Sequence, residues 1–240
     1  MSALVSSGKR ERAAHAPRVS AVSVRRAPPE RPGPPGGKRD QNRKQRVEAL
    51  ASAGLALFLE HGIEAVTIDD IASRAGTAKG SFYRYFEDKT ELVESMFEPV
   101  IDQVRAAMRT AEEQLARATD RQSLTTAYMG LAVAFVPLAL SHFDVVRLYL
   151  QEARAPGVGA RAPIRRLAES IEAGAIHLTE VAVDHGLLEV SDPRISALAV
   201  IGATEQLILA VMSGRLDAPP PQIIDTLIRM VLDGIRARPT

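Results

Sequence analysis

Residues 67–86, TIDDIASRAGTAKGSFYRYF, constrain the fold more tightly than any other part of the chain. Thr67 and Asp70 place a hydroxyl and a carboxylate three residues apart, the arrangement that satisfies open amides at a helix start. Ile68, Ile71, Ala72 and Ala75 then recur at helical spacing. Gly76 stands where a helix ends in a left-handed residue, and only Thr77 and Ala78 separate it from a second helical pattern, predicted to run to Phe86. Two helices joined by so short a turn form a helix-turn-helix, whose second helix suits a DNA major groove. At about 100° per residue, Phe82 and Phe86 fall on a side to be buried. Gly80, Ser81 and Arg84 fall opposite, with Lys79, Tyr83 and Tyr85 on the flanks. Such a front can reach base edges while the flanks hold phosphates. An ordinary helical hairpin satisfies the same turn signal, so the surroundings decide.

Upstream, Val47, Leu50, Ala51, Gly54, Leu57 and Phe58 follow the stripe of an amphipathic helix, with Gly62 as its left-handed stop. Downstream, Asp88 and Glu91 repeat the capping pattern and open another helix. With Ala51, Phe58, Gly62, Thr67, Ile71, Ala72, Ala75, Gly76, Lys79, Gly80, Tyr83, Phe86, Lys89 and Leu92, residues 47–97 resemble the N-terminal domain of the TetR family of bacterial one-component transcriptional regulators. The resemblance covers about fifty residues in motif. It implies that Thr67, Lys79, Tyr83, Tyr85 and Lys89 hold backbone phosphates, and that Ser81, Arg84 and the surface opened by Gly80 read bases. Ala78 departs from the common form of the motif, where many relatives carry a serine able to cap the helix.

Charge is divided unevenly. Residues 1–46 carry +9 and residues 47–240 carry −8, while residues 47–100 hold four basic and ten acidic side chains. A DNA-binding face therefore needs Lys79, Arg84 and Lys89 gathered with the adjoining Arg43, Lys44 and Arg46, and the acids turned away. Residues 1–40 contain six prolines and no apolar periodicity, which predicts a disordered segment. It reads either as a basic arm that touches DNA or as a solvated tail. The absence of cysteine excludes disulfides and thiolate metal sites and fits a cytoplasmic protein. At 46% hydrophobic and only 4% aromatic residues, the composition suits closely packed helices, so the fold is expected to be all-α. Three domains are expected: the arm over 1–40, a three-helix DNA-binding domain over 41–88, and a helical effector-binding and dimerisation domain over 89–240.

Within that last domain a helix is predicted from Lys89 past Ala116, with a bend or break near Met96 imposed by Pro99. Residues 122–140 are strongly apolar but are interrupted by Pro137, and are read as a buried helix too short in apolar residues to cross a bilayer. Further helices are expected over 143–154, 163–185, 193–213 and 221–236. The last two are more apolar than a singly buried helix requires, and the resemblance pairs them with their copies in a homodimer, implying a pseudo-palindromic operator. Tyr128, Phe135, His142, Arg147 and Tyr149 are the candidate lining of a pocket for a small apolar or amphipathic effector, against the alternative that each is simply core or surface. His177, Glu180 and Asp184 share a helix face but read as a solvated polar face, so no metal is expected. No cofactor is expected either.

Three functional classes can be weighed. No Walker loop, HExxH or GxSxG motif is present, and Gly157-Val158-Gly159 lacks the third glycine of a dinucleotide fingerprint, which argues against an enzyme. A ligand-responsive repressor binding double-stranded DNA as a homodimer is the leading reading. A DNA-binding dimer governed by a protein partner instead of a small ligand remains the alternative.

Overall fold

A computed structural model describes residues 37–233. The residues described contain helices and no strand: α1 (Lys38–His61), α2 (Ile68–Arg74), α3 (Lys79–Phe82), α4 (Lys89–Leu115), α5 (Arg121–Ser141), α6 (Phe143–Glu152), α7 (Ala162–Asp184), α8 (Pro193–Met212) and α9 (Pro220–Asp233), with a single 3-10 turn at Gly159–Arg161 before α7. The expected all-α class is thus observed. Residues 38–40, which the sequence reading assigned to the arm, are helical, and the remainder of that arm lies outside the described residues.

The helix ends form where the local chemistry directs them. Thr67 Oγ1 accepts from the Asp70 amide at 3.2 Å while Asp70 Oδ2 accepts from the Thr67 amide at 2.9 Å, closing the expected capping box on α2. Asp88 caps α4 by accepting from the Glu91 amide at 2.9 Å. Gly62 and Gly76 adopt φ of 81° and 65°, the left-handed conformation that a side chain disfavours. Gly54 serves a different need. A Cβ there would sit 2.9 Å from Leu92 Cδ2, so its absence lets α1 lie directly on α4.

One apolar core runs from the N-terminal helices into the C-terminal bundle. Leu50, Phe58, Ile71, Phe82 and Phe86 share a cluster with Leu92, Val93, Met96 and Phe97 of α4, and that cluster continues to Leu148 on α6 and Ile164 on α7. The first two turns of α4 therefore complete the core of the N-terminal head. Beyond them, α4 packs between α5 and α7, α8 lies on α7, and α9 lies on α5.

The break expected at Pro99 does not occur, and the helix expected across Pro137 is present. α4 continues unbroken through Pro99, and α5 through Pro137. Each proline forfeits one ladder hydrogen bond at a cost of about 3 kcal/mol. Both rings are exposed, while Met96, Phe97 and Val100 on α4 and Leu138 on α5 are buried around them, so packing holds each helix together. A further correction concerns α5. Its 21 residues are long and apolar enough to cross a membrane by length and composition, as are the 20 of α8. Length and composition alone are weak evidence for a span; the expectation that residues 122–140 are buried is also not met, since only 17% of the apolar window of α5, and 6% of that of α8, is buried, with α5 packed on α4 and α9 and α8 on α7.

A buried ion pair joins the bundle to the head. Glu152, at the end of α6 and 5% exposed, accepts from Arg161 Nε at 2.6 Å and from the Ile63 amide in the α1–α2 corner at 3.4 Å. Gln151 donates to the Phe58 carbonyl at 3.2 Å, and Arg161 also lies 3.7 Å from Glu64. Removing one partner of a buried pair strands the other. Glu152→Ala is expected to lower stability by about 3 kcal/mol, seen as a lower urea midpoint with an unchanged slope.

Candidate nucleic-acid interface

The recognition segment is built on Phe82. Its ring is fully buried, edge-on to Tyr83 with centroids 5.6 Å apart and tilted against Phe86 at 5.5 Å. Regular α-helix ends at Phe82, four residues short of the sequence-predicted stop, and the chain continues through shorter turns: the Arg84 amide donates to the Ser81 carbonyl and the Tyr85 amide to the Phe82 carbonyl. Ala78 provides no side-chain cap, and Gly80 costs backbone entropy, so little local propensity sustains a longer helix. The facing of side chains nonetheless follows the helical expectation, because Phe82 and Phe86 are both buried. Lys79, Gly80, Tyr83 and Arg84 are exposed, Ser81 and Tyr85 are half-buried, and a Cβ at Gly80 would meet nothing within 4 Å.

The cations differ in how free they are. Lys79 Nζ donates to Asp69 Oδ2 at 2.8 Å, and this bond holds the ammonium above its ordinary pKa. Arg74 is engaged by both oxygens of Glu60, at 2.9 and 2.8 Å. Lys89 points inward, where its ammonium donates to the Ile63 and Val66 carbonyls at 2.6 and 2.9 Å and burial lowers its pKa. Thr67 is also occupied, since its hydroxyl both donates to and accepts from Asp70. Arg84 and Arg46 are exposed and have no side-chain partner among the described residues. Of the nine residues singled out in the sequence, the structure therefore brings Lys79, Gly80, Ser81, Tyr83, Arg84 and Tyr85 together on one segment. It places Thr67 and Lys89 in the scaffold that supports it, and Arg46 on α1. The pairing of Lys79 with Asp69 has a sequence signal that was missed, a base ten residues after an acid across a two-residue turn. The Gln151 and Glu152 contacts with the head have none, because they span about ninety residues of chain.

None of the five sequence-predicted effector residues lines the cavity between α4 and α7. Tyr128 is part-buried, with its hydroxyl 3.5 Å from the Leu178 carbonyl, and Phe135 packs on the main core. His142 caps the α5–α6 junction and contacts Gln103 at 3.0 Å, whereas Arg147 is exposed. Tyr149 is buried and donates to Glu205 Oε1 at 2.8 Å. The cavity itself has a volume of about 330 Å³. No group of three or more metal-ligating side chains is assembled among the described residues; His177 is 3.0 Å from Glu112 instead.

Residues 50–96 match the family model for bacterial regulatory proteins, tetR family. Those residues therefore carry the N-terminal domain of that family. The chain is 28% identical over 121 residues to the HTH-type transcriptional repressor KstR2 of Rhodococcus jostii, a match covering 50% of this chain and 59% of that protein. The chain thus spans less than two thirds of the length of this relative. It is 29% identical over 174 residues to the repressor BepR of Brucella suis biovar 1, covering 71% and 78%. Among solved structures, the regulator FadR of Bacillus subtilis in complex with stearoyl-CoA superposes with a TM-score of 0.59 at 16% identity, over 79% of this chain and 99% of that one, which extends the fold likeness through the C-terminal bundle. These relatives are regulators and not enzymes.

The environments of the buried tyrosines can be measured. Burial pushes the Tyr128 phenol up to about 12, and burial followed by the bond to Glu205 raises Tyr149 as well. The folded state keeps these protons while unfolded tyrosine releases them near pH 10, so the contribution of each is complete below pH 10; that of Tyr128 is lost as pH rises through about 12, and that of Tyr149 at higher pH still. In an absorbance titration of phenolate, Tyr128→Phe is expected to remove the component near pH 12.

Proposed function

We propose that this chain is a homodimeric DNA-binding transcriptional regulator, a repressor released from a palindromic operator by a small apolar or amphipathic effector. The observation that carries the reading is the outward presentation of Gly80, Tyr83 and Arg84 on a segment anchored by fully buried Phe82. Arg84, free of any acid among the described residues, reads a base edge; Tyr83, 48% exposed, and Lys79 position the phosphate backbone, Lys79 by exchanging Asp69 for phosphate. The repressor names of KstR2 and BepR support the sign of regulation, and the stearoyl-CoA in the FadR complex supports an amphipathic effector.

Dimerisation through α8 and α9 follows from what a single copy leaves uncovered. Ile195, Leu198 and Val211 on α8 are 67%, 47% and 40% exposed, and Met230 and Val231 on α9 are 40% and 38% exposed. Leaving that much apolar surface in water is costly, and a second copy removes it. The exposed Val133, Leu140 and Phe143 favour a second reading, in which a protein partner docks on α5 and α6 and governs DNA binding.

Sequencing of the genomic DNA fragments retained by the purified protein tests the function directly and supplies the operator. On that operator, Tyr83→Ala is expected to weaken binding to every sequence alike, and Arg84→Ala to relax the preference at one base position by roughly tenfold. Equal loss on all sequences for Arg84→Ala rules it out as a reader. Leu198→Glu is expected to sediment as a monomer and to lose operator binding, whereas a dimer unaffected by this change places the interface elsewhere.

A further inference from the structure

We propose that the seam between α4 and α7 is a binding site for an organic anion with an apolar body, gripped by Arg105 and Arg109. The cavity there, about 330 Å³, falls at the lower end of the range for small-molecule sites. Met108, packed into the notch left by Gly174, and Leu178 supply its apolar wall, Ala173 keeps the α7 side low, and Ser170 adds a hydroxyl.

Charge identifies the occupant. Arg105 and Arg109 stand one helical turn apart on α4, both exposed at the rim, and neither has an ion pair or side-chain hydrogen bond among the described residues. Of the acids on the same seam, Glu94 is met by an arginine, and Glu112, itself in the cavity lining, is outnumbered by the two guanidinium groups. Glu94 pairs with Arg166 at 2.6 Å toward one end of the seam, and Glu112 with His177 at 3.0 Å toward the other. What lies between them is two open guanidinium groups over an apolar floor, which favours a carboxylate, phosphate or sulfonate attached to a hydrocarbon body over a neutral or cationic compound. The position also gives binding a consequence, which rests on the regulatory reading above. α4 carries Leu92, Val93, Met96 and Phe97 into the head core, so a molecule seated between α4 and α7 favours whichever setting of α4 best accommodates it.

Isothermal titration of the full-length protein with decanoate and with decyl phosphate, both below their micelle concentrations, tests the site, with decyltrimethylammonium as the opposite-charge arm. The expected result is saturable binding of at least one anion and none of the cation. Arg105→Glu combined with Arg109→Glu is expected to weaken the anion at least tenfold, and Ala173→Trp to block it by filling the cavity, while Arg117→Glu, just beyond the end of α4 and outside the cavity, has no effect. An affinity unchanged in both the double variant and Ala173→Trp overturns the site, as does equal binding of cation and anion. Operator release is read separately. Binding lost in the variants without any effect of decanoate on operator affinity in the parent protein upholds the site and overturns its regulatory consequence. Release that persists in the variants overturns the site and leaves ligand control intact.

Discussion

The insertion of Phe82 into the head core is the contact on which the rest of the molecule depends. α3 is a single turn with no side-chain cap, and a segment that short has no stability of its own. Its orientation comes from the aromatic ring beneath it, tilted against Phe86 and part of the same buried cluster as Phe58, Ile71 and Phe97. Once that ring is fixed, the direction of every neighbour follows, and Gly80, Tyr83 and Arg84 have nowhere to point but outward. The fold thus supplies by burial the rigidity that the local sequence withholds.

Much of this was legible in the sequence because it rests on local chemistry. The capping box at Thr67 and Asp70, the left-handed glycines at 62 and 76 and the apolar stripes of α1 and α4 all act over four or fewer residues, and each lies where the spacing predicted. What was not legible depends on distant parts of the chain. The recognition helix is shorter than its pattern because periodicity reports which face is buried and says little about whether the backbone keeps α geometry. Pro99 was expected to bend or break α4, since a proline's local cost is visible in sequence and the packing that offsets it is not. Residues resembling ligand handles, Tyr149 and His142 among them, were already bonded to Glu205 and Gln103, partners 56 and 39 positions away.

The acidic excess of the head was the sequence's most discordant feature, and the structure resolves part of it. Glu60 is committed to Arg74, Asp70 to the amide of Thr67, Asp88 to the amide of Glu91, and Glu64 lies beside Arg161. These carboxylates act as caps and braces on the scaffold. Lys89 works likewise, tying the α1–α2 corner through two carbonyls, and Glu152 reaches the same corner from the bundle. The corner is therefore held from both sides, by a lysine at the start of α4 and a carboxylate at the end of α6. A change in either helix reaches the head through bonds to backbone, which transmit displacement more directly than contacts between flexible side-chain tips.

Glu205, flanked by Thr204 and Gln206, divides the apolar length of α8, and its carboxylate is met there by the Tyr149 phenol and the Arg154 guanidinium, both carried on or just after α6. An isolated α8 has neither group, so hiding its hydrocarbon face would leave an uncompensated charge. The helix becomes fit for association only after α6 has docked beside it. Folding of the single chain must therefore precede any assembly through this surface, and nascent or misfolded copies are refused by a charge they cannot neutralise.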